Sequence, residues 1–247
     1  MTTPDLTEAV LACAAALILG VLKTSVGGGI GLTLAPILAL VMPPSAVLGL
    51  LGCLMVLSDP MSLYLYWRKW EARVLRLVLP SALVGIVLGA WLLSGLSETG
   101  LRRLIGASAL VMAALSLASL LRVPRGYTLP SVPGSLAVGV GTGVASVVAN
   151  SGGVILGPYL AGLGLGTAAV VATGQAVVVG ANLLKLAAYW TIGFVTWRLA
   201  LLALITTPLL YLGTTVGYHL NARIPRRALA LALIAIAIAG GVKLLLG

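Results

Sequence analysis

The sequence predicts an all-α polytopic membrane protein made of two inverted repeats, each a broken re-entrant helical hairpin followed by three transmembrane helices. Composition, a duplicated glycine-rich break and the placement of basic residues predict it. Of 247 residues, 60% are hydrophobic and 8% charged, with a mean hydropathy of +1.16. So few charges cannot solubilise a globular surface of this size, which excludes an ordinary soluble domain. The net charge of +10 comes from basic residues clustered between apolar runs. That pattern sets membrane topology and does not imply nucleic-acid binding.

The first repeat, residues 1–121, opens with a broken element over 7–41, interrupted by Lys23-Thr24-Ser25-Val26-Gly27-Gly28-Gly29-Ile30-Gly31. Apolar runs at 45–67, 74–93 and 101–121 follow, each close to the roughly 20 residues that cross the hydrocarbon. A proline-containing linker, 122–133, separates this half from the second, 134–247. There the broken element is 134–163, interrupted by Ala149-Asn150-Ser151-Gly152-Gly153, and the spans are 168–195, 199–219 and 228–246.

An offset of 122 residues superimposes Gly31 on Gly153, Pro36 on Pro158, Ser45 on Thr167 and Gly52 on Gly174. Further along, an offset of 128 superimposes Pro80 on Pro208, Gly85 on Gly213 and Gly89 on Gly217. Duplicated broken segments mark transporters whose substrate site lies between related halves. Gly85, Gly89, Gly213 and Gly217, at small-xxx-small spacing, are expected to serve helix packing.

Whether the broken elements cross or return is decided by the positive-inside rule. If they cross, the Lys and Arg residues between spans divide seven against five; if they return as hairpins, they divide nine against three. The hairpin arrangement has the stronger bias. It gives each half an odd number of crossings, so the second half is inverted, with both termini outside and the Arg68–Arg76 loop inside. No basic n-region precedes the first apolar run, so no cleaved signal peptide is expected.

A helix broken at membrane depth frees backbone groups that only protein or water can satisfy. Short helices starting near Gly31 and Gly153 would direct free N–H groups and positive dipole ends at the midplane, where they attract anions. Ser25, Gly27, Gly28 and Gly29 in the first break, and Asn150, Ser151, Gly152 and Gly153 in the second, are therefore candidate substrate contacts. Thr24 and Ser146 stand beside them.

Lys23, Asp59 and Lys185 are the ionisable residues set deepest among apolar neighbours. Such groups cost enough in lipid that they face a cavity or one another. Asn182, Lys185 and Tyr189 share a helix face by their three- and four-residue spacing, and that face can donate hydrogen bonds to an oxyanion. Gln175 and Thr173 are weaker candidates on the same span. Asp59, in Ser58-Asp59-Pro60, is read as an ion-pair partner of Lys185 or as a proton carrier that couples transport. Lys23 either lies deep in the hairpin or snorkels to an interface. Cys13 and Cys53 form no Cys-x-x-Cys or Cys/His cluster, and no metal or cofactor is expected. Trp67, Trp70, Trp190 and Trp197 flank the loops as an aromatic belt, and His219 is read as an interfacial residue.

Taken over nearly its whole length, the chain resembles the TauE/SafE family of sulfite exporters, also called the 4-toluene sulfonate uptake permease family. The matching pieces are Gly27-Gly28-Gly29-Ile30-Gly31 with Pro36, Ser151-Gly152-Gly153 with Pro158, Asp59 ahead of Tyr66-Trp67-Arg68, and the Asn182, Lys185, Tyr189 face leading to Gly193. The resemblance implies a multi-pass transporter of the cell (inner) membrane that moves sulfite or organosulfonates, often driven by an ion gradient. The second break departs from three glycines by carrying Asn150-Ser151, which leaves the substrate open. An exporter working by alternating access is the expectation, with an anion channel or a carrier of another small anion as alternatives. A membrane enzyme is not expected, because one histidine and scattered carboxylates supply no catalytic set.

Overall fold

The computed structural model describes residues 6–25, 30–121, 131–221 and 225–246. Among the described residues the regular structure is entirely α-helical: α1 (Leu6–Ser25), α2 (Ile30–Leu38), α3 (Pro44–Leu65), α4 (Ala72–Ser94), α5 (Glu98–Leu121), α6 (Val132–Ala149), α7 (Gly152–Ala161), α8 (Thr167–Thr191), α9 (Trp197–Ile205), α10 (Thr207–Asn221) and α11 (Arg226–Leu246). Five helices are long and apolar enough to cross a membrane, or six if α9 and α10 form one bent span. The chain is thus a multi-pass membrane protein.

Local signals start the helices where the sequence allows. The Glu71 side chain accepts from the Arg73 N–H at the head of α4, and Ser131 accepts from Gly134 N–H at the head of α6. Thr196 does the same for Leu199 at the head of α9. Each satisfies one donor that a first helical turn leaves unpaired. The head of α3 is capped from another helix: the Glu98 carboxylate, at the start of α5, accepts from the Ser45 N–H at 3.3 Å and from the Ser45 hydroxyl.

Glycines fix how the helices pack. A Cβ at Gly85 would lie 2.1 Å from the Val140 carbonyl oxygen, and one at Gly143 2.1 Å from that of Ala82. Elsewhere, a Cβ at Gly213 would lie 2.2 Å from the Leu17 oxygen, and one at Gly20 2.1 Å from the Leu210 oxygen. Backbone therefore meets backbone between α4 and α6, and again between α10 and α1. Both contacts join the two halves of the chain. Gly85 and Gly89 pack on α6 and Gly213 on α1, the packing role their spacing predicts.

The second break is a sharp turn. Asn150 ends α6 in the left-handed conformation (φ 51, ψ 30), which asparagine tolerates better than branched residues do. Its N–H donates to the Ser146 carbonyl and the next N–H, Ser151, to Ala145. The Ser135 and Tyr159 hydroxyls bond at 2.6 Å across 24 residues, so the first turn of α6 lies beside the far part of α7. By length and composition alone α6 would qualify as a span, but it is followed by a helix that runs back along it.

The span expected as continuous over 199–219 is broken instead. α9 and α10 meet at Thr206 with a bend of 48°. Pro208 lacks an N–H for the carbonyl one turn back, and the Thr206 and Thr207 hydroxyls bond the carbonyls of Leu202 and Ala203. Its sequence counterpart Pro80 lies inside an unbroken α4, where the Ser81 hydroxyl bonds the Leu77 carbonyl at 2.8 Å. The apolar part of α3 also stops at Pro60, short of the 45–67 run.

Candidate functional site

The polar side chains inside this apolar body come from four places in the chain and form one connected network. Lys23 closes α1, Met55, Ser58 and Asp59 lie on α3, Asn150 sits at the turn between α6 and α7, and Asn182 and Lys185 share a face of α8. Pro60 removes a backbone donor from the last turns of α3, just where Asp59 needs polar surroundings.

Lys23 Nζ donates to Asp59 Oδ1 at 2.6 Å and to Ser58 Oγ at 2.5 Å. Asn182 Nδ2 donates to the other carboxylate oxygen, Asp59 Oδ2, at 2.9 Å. Its Oδ1 accepts from Lys185 Nζ at 3.0 Å. The two charges thereby fix the orientation of this amide, since a flipped Asn182 would aim its NH2 at the ammonium and its oxygen at the carboxylate. Lys185 Nζ donates further to Asn150 Oδ1 at 2.6 Å and reaches the Met55 thioether at 3.4 Å.

The pairing of Asp59 with Lys185 read from the sequence is corrected: Lys23 is the ion-pair partner. The reason lies in geometry. Asn182 stands between Asp59 and Lys185, and the Lys185 ammonium is held by two amide oxygens and a sulfur. Lys23 does not snorkel; its side chain is 11% exposed and bound to Asp59.

Lys185 is entirely buried. Among the described residues it has no carboxylate partner. Beside it, Asn150 is 6% exposed, and its Nδ2 has no hydrogen-bond partner. A buried donor without an acceptor costs roughly 1 to 3 kcal/mol. A fully buried ammonium and an unused amide donor next to it are a donor pair of the kind that can bind an oxyanion.

Other predicted residues take different places. Ser151 is fully buried, and its hydroxyl turns back to the Ala149 carbonyl at 2.8 Å. Gly152 opens α7 against α6, where a Cβ would meet Ser146 Oγ at 2.1 Å and the Thr142 oxygen at 2.7 Å; no other residue fits that approach. Gly153 follows it in the first turn of α7. The Tyr189 hydroxyl donates to the Val147 carbonyl, which ties α8 to α6 and leaves the phenol outside the Lys185 network. Gln175 is not joined to the network, and its Oε1 is buried without a partner. Thr173 accepts from the Glu71 N–H at 2.9 Å, at the head of α4. Gly27, Gly28 and Gly29 lie outside the described residues, and the side chains of Thr24 and Ser25 do as well.

Sequence reasoning did not single out Met55 or Ser58 as contacts. Met55 precedes Asp59 by four residues, the spacing that puts two side chains on one helix face. That signal was available.

No curated protein and no solved structure matches this chain. A family model described as "Sulfite exporter TauE/SafE" matches residues 12–244.

Proposed function

This chain belongs to the TauE/SafE family of sulfite exporters, and from that premise we propose that it carries a small sulfur-containing anion, sulfite or an organosulfonate, across the cell membrane by alternating access. The anion binds beside Lys185, between the α6–α7 turn and α8, and the two halves of the chain rock about it. One observation carries the reading: a fully buried ammonium whose partners are all uncharged. Burying such a charge without a counter-ion costs several kcal/mol. A bound anion removes that penalty, and the start of α7 adds free N–H groups pointing toward the same turn.

The inverted arrangement of the halves has its own support. Glu8 at the start of α1 pairs with Arg198 at the start of α9 at 2.6 Å. Glu71 at the start of α4 bonds Thr173 near the start of α8. If α3, α4, α5 and α8 each cross once, both bonds keep their partners on one side of the membrane only when both broken elements return to the side they entered from. Letting either one cross separates Glu71 from Thr173 or Glu8 from Arg198. The matched glycine contacts agree, since Ala82 and Leu210 stand at the same 128-residue offset as Gly85 and Gly213. The basic residues then favour the face that carries Glu71 and Thr173 as the cytoplasmic one.

Counterflow in proteoliposomes tests the reading. Purified protein should show uptake of labelled sulfite or methanesulfonate that is accelerated when the lumen is preloaded with the same anion. Flux without acceleration would make the protein a channel, and no flux with any sulfur oxyanion would remove the proposal.

A further inference from the structure

The charges buried between the helices do not cancel. Among the described residues Asp59 and Lys185 are the buried charged residues, and the Lys23 side chain that bonds Asp59 is 11% exposed. Lys23 and Asp59 neutralise each other through a direct bond, which leaves the ammonium of Lys185. Its three contacts, two amide oxygens and a thioether, all accept. Three acceptors call for three N–H donors, which an ammonium has and a neutral amine lacks.

Among the described residues no carboxylate bonds the Lys185 ammonium. The chain has five acidic residues, Asp5, Glu8, Asp59, Glu71 and Glu98. Glu8 is bound to Arg198, Glu71 sits at the head of α4, and Glu98 holds Ser45. Asp5 lies outside the described residues. Counted over the described residues, the network therefore carries one net positive charge.

From this balance we infer that the site is built for a singly charged oxyanion and rejects a dianion of the same shape, with Asp59 as the residue that sets the charge preference. The inference rests on the anion site proposed above. Of the three contacts of Lys185, the thioether of Met55 at 3.4 Å is the weakest acceptor and the one an anion oxygen replaces. The unused Nδ2 of Asn150 supplies a second donor. A monoanion brings the buried sum to zero. A dianion leaves one negative charge in a medium that solvates it poorly, which restores the penalty with the opposite sign. Asp59 need not touch the anion: both its oxygens are occupied by Lys23 and Asn182, and it acts by cancelling one of two ammoniums.

The test compares methanesulfonate with sulfate, two tetrahedral oxyanions that differ by one charge, at neutral pH and matched ionic strength. Thermal stabilisation of the purified full chain should occur with methanesulfonate at a concentration about tenfold or more below that needed for sulfate, the scale expected of one misplaced charge. Asp59→Asn leaves both ammoniums unbalanced and should move the ratio about tenfold toward sulfate. Combining it with Lys23→Gln returns the sum to one positive charge and should restore the original preference, an outcome that a merely structural role for Asp59 does not produce. Should Asp59→Asn fail to fold, Lys23→Gln alone replaces it: its sum is zero, so it should lose the methanesulfonate response, and the double variant should regain it. A wild-type response to sulfate equal to or stronger than that to methanesulfonate overturns the inference and leaves the anion site standing. An unmoved ratio in Asp59→Asn, or a full methanesulfonate response in Lys23→Gln, does the same. No response to either anion in folded wild-type protein removes the site and this inference with it.

Discussion

Asp59 and Lys185 carry opposite charges and bond the same residue, yet do not pair with each other. Asn182 separates them, giving its NH2 to the carboxylate at 2.9 Å and its oxygen to the ammonium at 3.0 Å. An amide in that position does what direct pairing would prevent. It keeps Asp59 committed to Lys23 while leaving the Lys185 charge uncancelled beside the α6–α7 turn.

Replacing Lys185 with methionine should abolish anion-dependent thermal stabilisation and counterflow. The variant strands the oxygens of Asn150 and Asn182, each at a cost of about 1 to 3 kcal/mol. Because it also removes an unbalanced charge, the protein should still fold. Thermal-shift titration with sulfite reads both effects, and a wild-type sulfite response in this variant would rule Lys185 out as an anion ligand.

Asn150 has a backbone role and a side-chain role that two substitutions separate. Asn150→Gly keeps the left-handed turn at φ 51 but loses the oxygen bound to Lys185. Asn150→Ala loses the same oxygen and adds a left-handed penalty of about 1 to 2 kcal/mol. Both should bind anion more weakly, with the alanine variant the less stable in thermal unfolding. Equal stability of the two would mean that the turn relaxes out of its left-handed form.

The backbone contacts between halves predict a contrast among glycines. Gly85→Ala and Gly213→Ala each place a Cβ within 2.2 Å of a carbonyl oxygen, so the helices must separate. A loss of about 1 to 3 kcal/mol is expected, visible as a lower melting temperature. Gly157→Ala in α7 meets nothing within 4 Å and should be neutral or stabilise by about 0.4 to 1 kcal/mol.

Inverted topology can be read by accessibility. With Cys13 and Cys53 replaced, a cysteine at Trp70 should react with impermeant maleimide only from the cytoplasmic side, and one at Ser97 only from outside. Since one span separates them, that pair alone orients the first half. Adding Thr167→Cys, exposed at the start of α8, tests the second half: it should react from the same side as residue 70, and reaction from the opposite side would sink the inverted arrangement.

Much of the architecture was readable because glycine, proline and apolar length act locally. The turn at Asn150, the helix face shared by Asn182 and Lys185, and the packing of Gly85 and Gly213 all follow from short-range rules. The Lys23–Asp59 bond does not. It joins the end of α1 to α3 across the first break, and sequence spacing cannot fix how far one helix is rotated toward another. The bend at Thr206 was hidden for a related reason. Pro80 and Pro208 read alike, but α4 stays whole while α9 packs on α3 and α10 is drawn to α1 by Gly20 and Gly213.

The pairing of α1 with α10 and of α4 with α6 has an ancestral consequence. The glycine faces of each half are covered by the other half, so a half-length forerunner could have buried them only against a second copy of itself. If the halves insert in opposite directions, as proposed above, such a forerunner would be a dimer of one polypeptide placed in the membrane in both directions. A linker between the two copies would then hold fixed a relative orientation that single copies meet only by chance.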